Sequence, residues 1–145
     1  MNQSIVKFIK SQTCATICCI NENNDPYCFS CFYAFDIAQG LLYFKSSFDT
    51  EHIKILQQNP IVAGTILPDK FQRLIVQGIQ FYGKLMAQND DKIKISKSQY
   101  YKRFPFALAI PGEVWIIEIE NIKMTDSTKG FGHKTTWNKN INTLS

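Results

Sequence analysis

What most limits the folds open to this chain is its punctuation. Short runs rich in β-branched and aromatic residues are broken repeatedly by turn-forming clusters. Residues 13–20, 27–35, 41–45, 61–67 and 113–124 each read as a strand. Residues 73–86 are a longer strand candidate that bends where Gly78 and Gly83 interrupt it. The breaks at 21–26 and 36–40 are short, so the first three strands are expected to form an antiparallel meander. Helical spacing is confined to brief stretches. Ile5, Phe8 and Ile9 give residues 2–11 one apolar face, and Ile53 and Leu56 do the same after Asp49, a candidate N-cap. Asn59-Pro60 stops that helix, and a third over 95–103 ends near Phe104-Pro105. Trp115, Ile117 and Ile119 share one face of the last strand, and 125–145, Gly- and Asn-rich, reads as an irregular tail. The pattern predicts a mainly β chain: about six strands in a small closed or partly closed antiparallel barrel, with short helices at its ends. With no repeat, linker or low-complexity block, 1–145 reads as one domain.

At 145 residues the chain can bury a real core, and its 11 Phe, 6 Tyr and 2 Trp require one, or an apolar subunit interface. The net charge of +4 is modest and scattered, with a mild concentration at Lys129, His133, Lys134 and Lys139. That suits a small anionic ligand and argues against nucleic acid, which calls for a basic stripe. No apolar run approaches the ~20 residues of a membrane span, and residues 1–10 lack the pattern of a signal peptide, so a cytoplasmic protein without a membrane partner is expected. The five cysteines lie in strand-like sequence and read as buried thiols. Cys28 and Cys31 form a C-x-x-C, but residues three apart on a strand point to opposite faces, so they read as unrelated thiols rather than half a metal site. There is no phosphate-binding G-x-x-x-x-G-K-[ST] and no G-x-S-x-G, and only two histidines, so a hydrolase triad has little support and no metal site is expected.

The segment LYFKSSFDTEHIKILQQNPIVAGTIL (42–67) sets a strand ending in Ser46-Ser47 before a helix with His52 in its first turn, then Asn59-Pro60 and another strand. It resembles the cofactor-binding segment of the pyridoxamine-phosphate-oxidase-like, FMN-binding split-barrel superfamily. Gln77-Gly78-Ile79-Gln80-Phe81-Tyr82-Gly83, Arg103-Phe104-Pro105, Val114-Trp115, Thr125-Asp126 and Gly130-Phe131-Gly132 are similar to one uncharacterised bacterial branch of it. The resemblance implies a six-stranded antiparallel split β-barrel, a homodimer, and FMN in a cleft between the subunits. The superfamily also holds haem-binding and cofactor-free members.

On that resemblance, Lys45, Ser46, Ser47 and His52 form a phosphate cradle at a helix start, where free N–H groups and the helix dipole favour an anion. The other reading is a plain turn and cap with His52 on the surface. The superfamily's oxidases carry an Arg-Lys pair where this chain has Glu51-His52. Residues 29–33 occupy the strand beside the flavin ring; Ser30 and Phe32 share one face, Phe29, Cys31 and Tyr33 the other, and either set could meet the cofactor. Gln77 and Gln80 are candidates near the phosphate or ribityl chain, or else solvent-facing barrel residues. Trp137, isolated in a polar tail, wants a partner surface, so 130–137 is expected to fold over the cleft or onto the other subunit. Three functions remain open. A flavin-dependent oxidoreductase would leave the electron transfer to FMN, with Tyr33 and His133 as substrate-side contacts. A non-catalytic module would hold flavin or haem, with His133 as a haem ligand. An interaction protein would have lost its cofactor.

Overall fold

The computed structural model describes residues 1–142. Its strands are β1 (Cys14–Ile20), β2 (Pro26–Asp36), β3 (Leu41–Ser46), β4 (Ile61–Ile66), β5 (Gln77–Leu85), β6 (Glu113–Asp126) and β7 (Lys134–Asn138). The helices are α1 (Gln3–Ser11), α2 (Glu51–Gln58), α3 (Asp90–Arg103) and α4 (Lys139–Asn142). A 3-10 turn, Pro105–Ala109, follows α3.

Every strand pairing is antiparallel, in the order β3-β2-β1-β4-β5-β6-β7, and β3 also pairs with β6. That last pairing closes a six-stranded barrel. The long β6 makes closure possible. One of its edges takes β5, while the other takes β3 along its first half (Leu41↔Glu118 to Ser46↔Glu113) and β7 along its second. A shift of register at Tyr82/Gly83 bends β5 around the barrel, next to one of the glycines expected to do so.

Alternation sorts the side chains. Ile17, Phe29, Tyr33, Leu42, Phe44, Val62, Ile79, Phe81, Trp115, Ile117 and Ile119 point inward, and α1 and α2 plug the barrel with Ile5, Phe8, Ile9, Ile53 and Leu56. A second core forms outside the wall, where α3 lays Tyr100 and Phe104 on Ala34, Tyr43, Val114 and Ile116. Both faces of the first half of β6 are therefore buried, which is why it reads as a continuous apolar run. Arg103 anchors α3. Its guanidinium donates to the carbonyl of Tyr33 at 2.7 Å and to that of Gln12, and lies over the Tyr33 ring at 5.1 Å.

The structure departs from the sequence reading at several points of the fold, and the helix expected over 95–103 already begins at Asp90. The C-terminal tail is not irregular: it turns at Gly130–Gly132 and adds β7 to the sheet, its last residues lying outside those described. Trp137 packs on the chain's own barrel against Gly40, which gives it a surface within the chain. Residues 73–76 form a turn ahead of β5 instead of its first residues. Thr50, not Asp49, occupies the N-cap of α2.

Candidate functional site

At the C-terminal end of β3 the chain must leave the barrel and enter α2, and the 3-10 turn after α3 comes down opposite that exit. Between them lies a groove of about 450 Å³ lined by Cys14, Ser30, Cys31, Phe32, Lys45, Ser46, Ser47, Thr50, Tyr100, Phe106, Ala107, Ile110 and Pro111. Five of the residues expected from sequence meet here: Ser30 and Phe32 from β2, Lys45 and Ser46 from β3, and Ser47 beyond it. On β2, Phe29, Cys31 and Tyr33 pack with the core, while Ser30 and Phe32 face out.

Hydroxyls are concentrated on one wall. Ser46 Oγ lies 2.6 Å from His52 Nε2 and 3.4 Å from Thr50 Oγ1, which in turn donates to the Ser47 carbonyl at 2.9 Å. His52 stands behind Ser46, its ring stacked on Phe29 with centroids 3.8 Å apart. Burial lowers its pKa below the ordinary imidazole value, so the ring is neutral at pH 7. The opposite wall is apolar: Phe32 meets Phe104 at 5.5 Å and Phe106 at 6.0 Å between centroids. Lys45 ties the two walls together. Its ammonium donates to the carbonyls of Ala107, at 2.6 Å, and Ile110, and sits 4.9 Å over the Tyr101 ring. Among the described residues no carboxylate lines the groove; Asp49 and Glu51 lie outside it. Its rim is exposed and apolar, with Phe32, Phe48, Phe106, Leu108 and Ile110 each about half open to solvent or more.

The remaining candidates fall elsewhere. Gln80 is exposed on the outer wall, in a cross-strand row with Thr65, Thr16 and Ser30 that leads away from the groove. Gln77 donates to Asp126 at 3.2 Å and borders a separate hollow with Gln12 and Asp69. Asp126 also accepts from the Thr128 hydroxyl at 2.6 Å and its N–H at 3.0 Å, so the Thr-Asp element caps a turn. Burial works against its charge, but those hydrogen bonds and Lys129 hold its pKa below the usual carboxylate value. Tyr33 is fully buried with its hydroxyl on the Ile9 carbonyl at 2.6 Å, so it is a core residue and not a substrate contact. His133 is exposed in the turn before β7, beside Thr135.

Thr50 falls inside the segment read as the cradle without being named, and Tyr100, Phe106 and Ile110 were not legible as site residues. Their only signal is the Phe104-Pro105 stop, and nothing local says that α3 folds back over β2. The cysteines also depart from the buried-thiol reading. Only Cys19 is buried, and Cys14 and Cys28 are exposed. A somewhat larger hollow, about 490 Å³, lies by the β1–β2 hairpin, but its polar turn residues Asn21, Glu22, Asn23 and Asn24 offer no apolar slot. Among the described residues no group of three or more His, Cys, Asp or Glu is placed to hold a metal ion, and no helix is long and apolar enough to cross a membrane.

Solved structures share this architecture at low identity. The chain superimposes on a heme binding protein from Mycobacterium smegmatis with TM-score 0.77 and 14% identity, over 90% of this chain and 55% of that one. For a FAD-binding protein from Mesorhizobium loti the values are 0.65 and 19%, over 86% and 94%. These likenesses establish the split-barrel fold, and the neighbours' ligands are flavin in one case and haem in the other. No family model matches the chain. In sequence it is 34% identical over 137 residues to a UPF0306 protein of Serratia proteamaculans, covering 94% of both chains. Identity at that level along nearly the whole of both proteins makes this chain a member of the UPF0306 family.

Proposed function

We propose that this protein binds FMN in the groove beside β3 and works as a cytoplasmic flavin-dependent oxidoreductase, with a second copy of the chain closing the cleft. The observation that carries the reading is the division of the groove: hydroxyls on one wall, aromatic and aliphatic carbon on the other, the Lys45 ammonium bridging them, and no carboxylate among the described lining residues. A phosphate monoester needs the first set, and a flat heteroaromatic ring needs the second. The lining residues therefore fit FMN. Haem fits less well, because no imidazole lines the groove and the Nε2 of the nearest one, His52, is engaged by Ser46.

Bound FMN would supply the electron transfer. The chain's own residues hold and shield it. Ser46, Ser47 and Thr50, with N–H groups at the start of α2, would take the phosphate, and Ser30 and Phe32 would border the ring. Lys45 contributes positive charge while pinning the 3-10 turn that forms the far wall. His52 holds the Ser46 hydroxyl through Nε2. The half-exposed apolar rim supports closure by a second subunit, since Phe48, Phe106 and Leu108 gain most from being covered.

The test is a titration of purified protein with FMN, followed by quenching of flavin fluorescence, in parallel with Ser47→Ala and His52→Ala. Saturable binding that weakens about tenfold or more in each variant is the expected result, the equivalent of ~1.4 kcal/mol, through a lost contact in Ser47→Ala and a released Ser46 hydroxyl in His52→Ala. Binding indifferent to both changes, or a purified protein with a haem Soret band and no flavin affinity, overturns the assignment.

A further inference from the structure

Cys18 has no part in the Cys28–Cys31 C-x-x-C, yet it lies directly opposite Cys28 in the β1–β2 ladder. Tyr33 N–H donates to the Thr13 carbonyl and Asn21 N–H to the Asp25 carbonyl, which marks 13↔33 and 21↔25 as hydrogen-bonded positions of one unbroken register. Hydrogen-bonded and non-hydrogen-bonded pairs alternate along an antiparallel ladder, so 18↔28 is non-hydrogen-bonded. Its Cα atoms are then about 4.5 Å apart, with side chains turned toward each other. The pair 16↔30, two residues along, belongs to the same class, and there the Thr16 and Ser30 hydroxyl oxygens are already 3.4 Å apart. Both thiols point away from the core, as their inward neighbours Ile17, Cys19 and Phe29 require, and Cys28 is exposed. A Cα separation of that size falls within the range a disulfide spans without backbone movement.

We propose that Cys18 and Cys28 form a reversible cross-strand dithiol–disulfide couple on the outer wall of the barrel, oxidised by low-molecular-weight disulfides of the glutathione class. The Cys28 thiolate, the more accessible of the two, attacks one sulfur of oxidised glutathione. A mixed disulfide forms, and one glutathione leaves as its thiolate. Cys18 Sγ then attacks Cys28 Sγ, giving the Cys18–Cys28 bond and expelling the second glutathione. The two protein thiols lose two electrons, the glutathione disulfide gains them, and the two thiol protons end on the two glutathiones. The order suits the pair. Cys18 lies deeper, and its burial and the neighbouring Cys28 hold its thiol in the protonated form, leaving it to act as the resolving partner. The step needs only the folded β1–β2 ladder and is independent of FMN binding.

The experiment treats the native protein with oxidised glutathione and follows it by intact mass and by peptide mapping without reduction. The expected product has lost two hydrogens, carries no glutathione, and links the Cys18 peptide to the Cys28 peptide; dithiothreitol restores the thiols. Cys18→Ser should stop at a stable glutathione adduct on Cys28, and Cys28→Ser should lose the intramolecular link altogether. Circular dichroism confirms that each variant keeps the barrel. A persistent adduct on Cys28 in the unaltered protein overturns the proposal. So does a link between any other cysteines, or oxidation that proceeds only after unfolding in urea.

Discussion

His52 shows how one side chain can serve two states. Its ring is stacked on Phe29 and bonded to Ser46, and burial disfavours the charged imidazolium. A pKa lower in the fold than in the unfolded chain means a stability contribution that is complete above the unfolded value of 6.5 and is lost as pH falls through the folded value. A phosphate placed against Ser46 reverses the local balance, because a nearby anion favours the cation. Binding of FMN is therefore expected to draw a proton onto His52. Calorimetry in buffers of different ionisation enthalpy measures that uptake at pH 7, and His52→Gln, which keeps a hydrogen-bonding group but cannot take the proton, should abolish it. Equal uptake in the variant would place the proton on the ligand instead.

Among the elements, β5 and β4 each hold a glycine with no room for a side chain. The first crosses β6 at the shifted register, and there a Cβ on Gly83 would come within 2.3 Å of the Glu118 carbonyl oxygen, a backbone atom that cannot swing aside. Gly64 of β4 is equally confined, its Cβ position 2.2 Å from the Phe81 ring. Substituting Gly83→Ala should cost about 2–3 kcal/mol, the scale of overpacking in a filled interior, read as a lowered urea midpoint with an unchanged slope. Gly78→Ala, where the nearest atom is a Leu67 methyl at 3.4 Å, serves as the control and should be close to neutral. The two glycines look alike in sequence, each interrupting the same apolar run. Only the shifted register, set by the meeting of two strands, separates a kink that must stay open from one with room to spare.

For the whole molecule, the decisive contacts join segments distant in the chain. Arg103, at the end of α3, donates to carbonyls of Tyr33 and Gln12 and so fastens the outer helix to the entry of β1 and to β2. Arg103→Ala should destabilise the protein by about 2 kcal/mol, as loss of charge-assisted bonds to buried carbonyls does. It should also weaken FMN binding, because α3 carries Tyr100 and leads into the wall that Lys45 holds. Thermal melts and the flavin titration on one variant check both. Wild-type binding in a destabilised Arg103→Ala would show that the wall stands without the helix anchor. The strand positions, the meander and the barrel class were legible because burial of alternate residues leaves a period of two in the sequence. The hydroxyl wall at 45–52 was legible because it lies in one short segment. The sequence by itself also determined that Trp115, Ile117 and Ile119 share one face of β6, and the packing of α3 buried the other. The tertiary structure alone decided which face of β2 looks outward, that the tail becomes β7, that Gln77 serves Asp126 in place of the groove, and that Cys18 meets Cys28. Each of those outcomes depends on pairing register and on how α3 packs against the barrel. Register is a property of two strands together, so no single stretch of chain carries it.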